Sequence, residues 1–291
     1  MFKRLFNSRI AKNTFFLYLL TFSNYFLGLL LIPYEARVLG PDIFGLVGFA
    51  MAFALVFQVI VDFGFMLSAT EQISRHRSDF EKVTRIVSST MHAKLYLSIL
   101  SSLLFTGSVL LIPMVREHFW ICFLFFVNGI LTALMPDFFY RGIEKMKTVT
   151  MRTVFVRGVG VILVLLFVKS PEQAVLIPAF FILSSVLALF AVFYDIFKHH
   201  GIHLKRIEAK EALTSIRSSL WFFFSRIAVN INSSVSSFFL GLQYAPASLQ
   251  MGLYTGSRNL TQAAEMMISP VTDSMYPHMV KERNIDYLKR C

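Results

Sequence analysis

Eight runs of roughly twenty apolar residues recur along this chain, near 14–32, 43–68, 88–112, 119–140, 152–168, 173–197, 214–240 and 250–272. Hydrocarbon offers the backbone no hydrogen-bond partners, so a spanning segment must satisfy its own N–H and C=O groups. Helices and closed barrels are the two solutions. A barrel strand alternates apolar and polar residues over about ten positions, whereas Leu97–Ile112 and Ala174–Phe193 are longer and carry no such alternation. The runs are therefore read as transmembrane helices. Composition agrees, because 56% of residues are hydrophobic and 15% charged, and a soluble fold could not hide that much apolar surface.

The net charge of +11 would suggest a polyanion partner in a soluble protein, but the basic residues sort by loop. One set of segments carries Lys3 to Lys12, Arg75 to Arg85, Arg141 to Arg152, Lys198 to Arg217 and Lys281 to Arg290, while the opposite loops hold Arg37, Arg116 and Lys169. Lys and Arg accumulate on the cytoplasmic side. With an even number of spans, both termini are expected in the cytoplasm of a multi-pass inner-membrane protein, and no nucleic-acid partner is needed. The basic start resembles a signal peptide, but the apolar run is too long and lacks a small-residue cleavage site, so it is expected to remain attached.

Cofactor signals are weak. Cys122 lies in the fourth run and Cys291 is the last residue, which gives neither a disulfide framework nor a CxxC site. His199, His200 and His203 are read as solvated in a basic linker, and no GxxxxGK[ST] phosphate loop occurs. Neither a metal nor another cofactor is expected. Gly158 and Gly160 are read as a helix-packing feature.

Three regions are expected: a six-helix lobe over 1–197, a cytoplasmic linker over 198–213, and a partial second lobe of two spans and a tail over 214–291. The second part echoes the first. Gly40-Pro41 closing the first hairpin matches Ala245-Pro246, and Gly45-Leu46 opening span 2 matches Gly252-Leu253 opening span 8. Parallel duplicated lobes with a site between them are a common transporter plan. Capping boxes are expected at Ser170-Pro171-Glu172-Gln173 and at Ser78 with Glu81.

Polar residues inside the apolar runs fall in stripes. Span 7 carries Arg226, Asn230, Ser233 and Ser237 at steps of four, three and four, which places them on one face. Span 8 carries Tyr254, Arg258, Thr261, Glu265 and Ser269, span 1 carries Thr14, Tyr18, Thr21 and Tyr25, and span 2 adds Gln58 and Asp62. A charge facing lipid costs at least about 2.5 kcal/mol, so these four spans are expected to line one cavity. Two guanidiniums, Arg226 and Arg258, suit a phosphate or diphosphate. Asp62 and Glu265 suit a coupling proton or cation, with Asn230, Gln58 and Tyr25 as further lining. The plainer reading is helix–helix glue through Ser and Asn and local pairing of Arg258 with Glu265.

The stretch LIPYEARVLGPDIFGLVGFA from Leu31, DFGFMLSATEQISRHR from Asp62, PDFFYRGIEKMKTVTMR from Pro136, SLWFFFSRIAVNINSS from Ser219 and GLYTGSRNLTQAAEMMISPVTDSMYP from Gly252 together resemble O-antigen and other polysaccharide repeat-unit flippases. These belong to the multidrug/oligosaccharidyl-lipid/polysaccharide exporter superfamily, whose fold is all-α. The resemblance implies two six-helix lobes around a cavity lined by spans 1, 2, 7 and 8, undecaprenyl-diphosphate-linked oligosaccharide as cargo, alternating access, and no enzymatic activity. It implies basic cavity residues at Arg226 and Arg258. Membrane lipids and other polysaccharide assembly proteins are the expected partners. Such flippases have about twelve spans, so the eight here read as a C-terminally truncated chain, with transport by it alone left open.

Two rival readings remain. A membrane-embedded glycosyltransferase or polysaccharide polymerase would use Glu35 and Asp42 as acid and base, yet the outer loops are too short to shelter them. A drug or cation antiporter of the same superfamily would want an acidic cavity, which Asp62 and Glu265 permit and the two arginines oppose.

Overall fold

A computed structural model describes residues 9–230 and 236–261. Among these residues the regular structure is helical throughout and contains no strand. The first helical stretch, α1 (Arg9–Asp62), is two arms joined at Gly40, where the backbone takes φ 73° and ψ 165°. Pro41 disfavours helical geometry at the residue before it and has no N–H to donate, and Gly40 alone tolerates the resulting positive φ. There follow α2 (Phe65–Arg75), α3 (Phe80–Leu111), the short α4 (Pro113–Glu117), α5 (Phe119–Ala133), α6 (Asp137–Gly142) and α7 (Met146–Phe167). A 3-10 turn (Pro171–Val175) then leads into α8 (Leu176–Lys198). After the non-helical segment 199–208 come α9 (Ala209–Asn230), α10 (Ser236–Gln243) and α11 (249–261).

Cross-contacts fix the direction of each helix. Thr150 of α7 donates to the Phe16 carbonyl at 2.8 Å and Tyr34 reaches the Val168 carbonyl at 2.7 Å, so the first arm of α1 runs alongside α7 in the same sense. Gly160 of α7 faces Phe181 of α8, which makes those two antiparallel. Ser185 of α8 donates to Asn128 of α5, and Gly129 of α5 faces Ala54 of the second arm, so these three run together. The chain therefore reverses at Gly40. On α3, Phe105 stacks on Phe126 near the outer end while Lys94 meets Asp62 near the inner end, which runs α3 against the second arm.

The two sets of loops separate to opposite ends of the bundle. Arg77 pairs with Glu144, Lys205 with Glu81 and Lys145 with His200 at one end. Lys169 meets Tyr34 at the other. This is the partition that the loop charges suggested. Five described stretches are long and apolar enough to cross a membrane: Phe26–Arg75, Phe80–Leu111, Phe119–Gly142, Met146–Phe167 and Pro171–Lys198. The first contains the reversal at Gly40 and so two opposed arms. The protein is an all-α integral membrane protein, and large side chains such as Leu111, Phe190 and Trp221 stay exposed on its outer surface because lipid is as apolar as they are.

Several local expectations need correction. The cap of α3 is Asp79, one residue beyond Ser78, and its carboxylate accepts from the Lys82 N–H at 3.0 Å. Ser170 makes no side-chain cap; Gln173 instead reaches back to the Lys169 N–H at 2.7 Å. Of the two glycines in α7, Gly160 packs against Phe181 while Gly158 has nothing within 4 Å. His200 is not simply solvated. It sits edge-on to Phe139 and Tyr140, and burial, followed by the neighbouring Lys145 ammonium, lowers its pKa.

The helices α10 and α11 pack along the second arm of α1. A Cβ at Gly45 would lie 2.8 Å from the Gly252 nitrogen and 3.0 Å from the Pro246 carbonyl, while a Cβ at Gly252 would strike the Pro41 carbonyl. The contact is reciprocal between the residues of the sequence echo. Gly48 faces Thr255, so α11 runs parallel to the second arm, as a parallel repeat requires. Replacing Gly252 by Leu should push backbone against backbone and cost about 1–3 kcal/mol, read as a lower melting temperature in detergent. Gly107→Leu, at a glycine with nothing within 4 Å, should melt like the parent chain.

Candidate functional site

The structure distributes the expected site residues over two places. Arg258 on α11 donates to the Ser237 hydroxyl on α10, tying span 8 to span 7. Gln58 and Asp62 point elsewhere. A Cβ at Gly129 would lie 3.6 Å from Cβ of Gln58, so Gln58 packs on α5. Asp62 lies 3.6 Å from the Lys94 ammonium of α3. The side chains of Tyr25, Arg226 and Asn230 and the whole of Glu265 fall outside the described residues, and the described contacts do not bring the four spans into a single lining.

Lys94 is the residue that sequence reasoning missed. Its side chain is 1% exposed, and its ammonium donates to the carbonyls of Ala133 at 2.5 Å and Met135 at 3.3 Å, with the Phe138 ring 5.3 Å away. Those carbonyls are orphans of a helix end, because α5 stops ahead of Pro136, whose ring excludes it from a helix interior. The Lys94 charge is met by Asp62 and by the free carbonyls together. The available signal was a lone Lys in the apolar third run, which belongs against a partner by default. A second, partly buried pair follows close by: Arg152 lies 2.5 Å from Asp137, with the two side chains 11% and 18% exposed. Arg152 had been counted with the basic loops, yet it is an interior residue.

At the end of the bundle where the basic loops gather, α9 lies across α2 and α3 through polar contacts. Arg85 grips Glu211 with two hydrogen bonds of 2.9 and 2.7 Å. That guanidinium holds the Glu211 carboxyl below its ordinary range. Ser89 accepts from Ser215 at 3.1 Å, and the Ser68 and Ser219 hydroxyls share a 2.6 Å hydrogen bond. Two hollows open beside this seam. One, of about 340 Å³, is lined by residues that include Gln72, His76, Lys82, Arg85, Glu211 and Thr214; the other, of about 250 Å³, adds Ser68, Ser218 and Phe222 and shares Gln72 and His76. Toward the opposite end the seam is apolar, with Phe238 stacked on Phe49 and Phe53 at 5.8 and 5.5 Å.

The candidate acid and base of the enzyme reading do not share a shelter. Glu35 is buried on the stripe of Leu31 and Leu39, whereas Asp42 is exposed in the first turn after Gly40.

Comparison with known proteins adds the decisive observation. The family described as "Polysaccharide biosynthesis protein" matches residues 10–282, nearly the whole chain. The chain belongs to this family. It is 27% identical over 271 residues to an Escherichia coli (strain K12) protein named for O-antigen transport, an alignment that takes in 93% of this chain and 65% of that protein. A Shigella dysenteriae protein with the same name is 27% identical over 291 residues, covering 96% of this chain and 69% of its own length. The chain thus spans about two thirds of the curated relatives it matches. No solved structure matches it.

Within this family member, Lys94 and Asp62 are an ion pair whose separation leaves a buried charge behind. Lys94→Met should cost about 3–5 kcal/mol in an unfolding titration of the detergent-solubilised protein. The double variant Lys94→Met/Asp62→Leu should recover part of that loss, and a strictly additive double-mutant cycle would show that the two charges do not interact.

Proposed function

We propose a flippase function for this chain, which carries a polyprenyl-diphosphate-linked oligosaccharide repeat unit from the cytoplasmic to the periplasmic leaflet of a bacterial inner membrane. The observation that carries the reading is the alignment, over 93% of the chain, to a protein named for O-antigen transport. Arg258 supports it. A guanidinium inside an apolar helix pair, held by one serine hydroxyl, keeps donors over for a phosphate oxygen. Arg226, on the matching face of span 7, is its proposed companion at the diphosphate.

In this reading the six helical passes over 1–197 form one lobe, 198–213 is a cytoplasmic linker, and 214–291 supplies spans 7 and 8 of a second lobe. Both termini lie in the cytoplasm, eight spans cross the bilayer, and cargo moves by alternating access through a cavity lined by spans 1, 2, 7 and 8. Asp62 is proposed to take part in coupling through its pair with Lys94, together with Glu265, while Tyr25, Gln58 and Asn230 complete the lining. The reciprocal contact of Gly45 and Gly252 is what two parallel repeats would make about an axis between them. The protein acts as a carrier, with no bond of its cargo made or broken.

The test is restoration of surface polysaccharide in a flippase-deleted host that expresses this chain, with membrane insertion checked by immunoblot. The double variant Arg226→Ala/Arg258→Ala should lose restoration by at least about tenfold, one or two charge-assisted contacts being removed, and Arg258→Lys should keep part of it. Undiminished restoration by the double alanine variant would remove the anion site from the proposal.

A further inference from the structure

We infer that the hollow between α2, α3 and α9 is a docking site for the sugar portion of the cargo, distinct from the proposed diphosphate site at Arg226 and Arg258. This rests on the flippase reading above. The hollow lies at the end of the bundle where the basic loops gather, the side on which that reading has the cargo enter. Its larger compartment, about 340 Å³, falls in the size range of small-molecule sites.

The chemistry of the lining selects the ligand class. Every basic side chain there is already matched to a carboxylate: Arg85 to Glu211, Lys82 to Asp79 at 3.2 Å, and Arg75 to Glu71 at 2.5 Å. An anion would lie beside the Glu211, Asp79 and Glu71 carboxylates that partner these basic side chains and be repelled by them, so phosphate is a poorer occupant than a neutral ligand. A sugar hydroxyl both donates and accepts, and it can add to such pairs without breaking them, since a carboxylate keeps unused lone pairs and a guanidinium unused N–H groups.

Gln72 and His76 line both compartments. The half-buried Gln72 amide has no hydrogen-bond partner among the described residues, so it presents two donors and a carbonyl oxygen to whatever enters. Ser218 and Thr214 bring hydroxyls from α9, and Phe222 gives the smaller compartment an apolar wall for the carbon face of a sugar ring. Alternating donors and acceptors with one aromatic wall, and basic side chains each paired to a carboxylate, fit a neutral oligosaccharide.

The experiment uses the full chain in nanodiscs. The probe is the phosphate-free repeat-unit oligosaccharide, released by mild acid from the lipid-linked pool of the host strain, and binding is followed by calorimetry. The parent chain should bind it, Gln72→Leu should bind about tenfold more weakly, as expected for losing hydrogen bonds to a ligand, and Gln72→Asn should recover part of the loss. Melting temperatures of both variants in the same nanodiscs serve as the fold control. Equal binding by folded Gln72→Leu, or competition by inorganic pyrophosphate that abolishes sugar binding, would overturn the assignment. Binding of the intact lipid-linked cargo by a chain that ignores the free oligosaccharide would also overturn it while leaving the flippase reading in place. Binding of the free oligosaccharide by a chain that never restores surface polysaccharide would support the docking site and count against transport.

Discussion

A helix that ends inside an apolar layer leaves carbonyls with no partner, and in hydrocarbon each costs several kcal/mol. Much of this structure follows from how its breaks avoid that cost. Where α5 stops before Pro136, the buried ammonium of Lys94 donates to the carbonyls of Ala133 and Met135. That choice brings a charge into the interior, and the charge in turn fixes the position of Asp62 at the end of the second arm of α1. One proline therefore determines an arrangement across three helices. The break after Asp62 is handled by contact instead. Phe63 and Gly64 take positive φ values, and the backbone of Phe222 and Phe223 covers Gly64 so closely that a Cβ there would lie 2.8 Å from it. Irregular backbone at membrane depth is tolerated only where protein covers it, and here α9 is the cover.

How much of this could be read in the sequence follows from the range of each interaction. The apolar runs up to Lys198 and their alternating sense were legible because run length and loop charge are local quantities. Gly40-Pro41 as a reversal was legible for the same reason, since the constraint lies within two residues. Breaks inside the runs were not anticipated. Pro136 was visible, but whether a proline kinks or ends a helix depends on what satisfies the freed carbonyls, and that partner lies far away in sequence. Asp62 was recognised as costly and therefore partnered, but it was assigned to a cavity because Lys94 went unremarked. Arg152 was placed in a loop by its neighbours Arg141, Lys145 and Lys147, although Asp137 holds it inside. The echo of Gly45 and Gly252 is a short sequence pattern. It carries more meaning as a contact, because matched residues that touch reciprocally are the mark of a two-fold relation.

The seam between the second arm of α1 and the later helices is built from two chemistries. Toward the outer end it is glycine and phenylalanine: Gly45 on Gly252, Gly48 on Thr255, and Phe238 against Phe49 and Phe53. Toward the inner end hydroxyls and an ion pair, Ser68 with Ser219, Ser89 with Ser215 and Arg85 with Glu211, flank an apolar patch in which Phe63 stacks on Phe223 at 4.2 Å beside Ala93, Leu97 and Ala212. The two ends respond differently to water. Close-packed glycine and ring contacts lose dispersion energy when a gap opens, with nothing to replace it. A serine–serine hydrogen bond is exchanged for bonds to water at a net cost of about 1 kcal/mol, and an exposed ion pair contributes no more than that. At the inner end the polar contacts are the cheaper part of the seam to open, while the stack of Phe63 on Phe223 and the backbone cover over Gly64 hold it closed. Opening either end therefore gives up packing, and what distinguishes the inner end is that water can replace part of what is lost there.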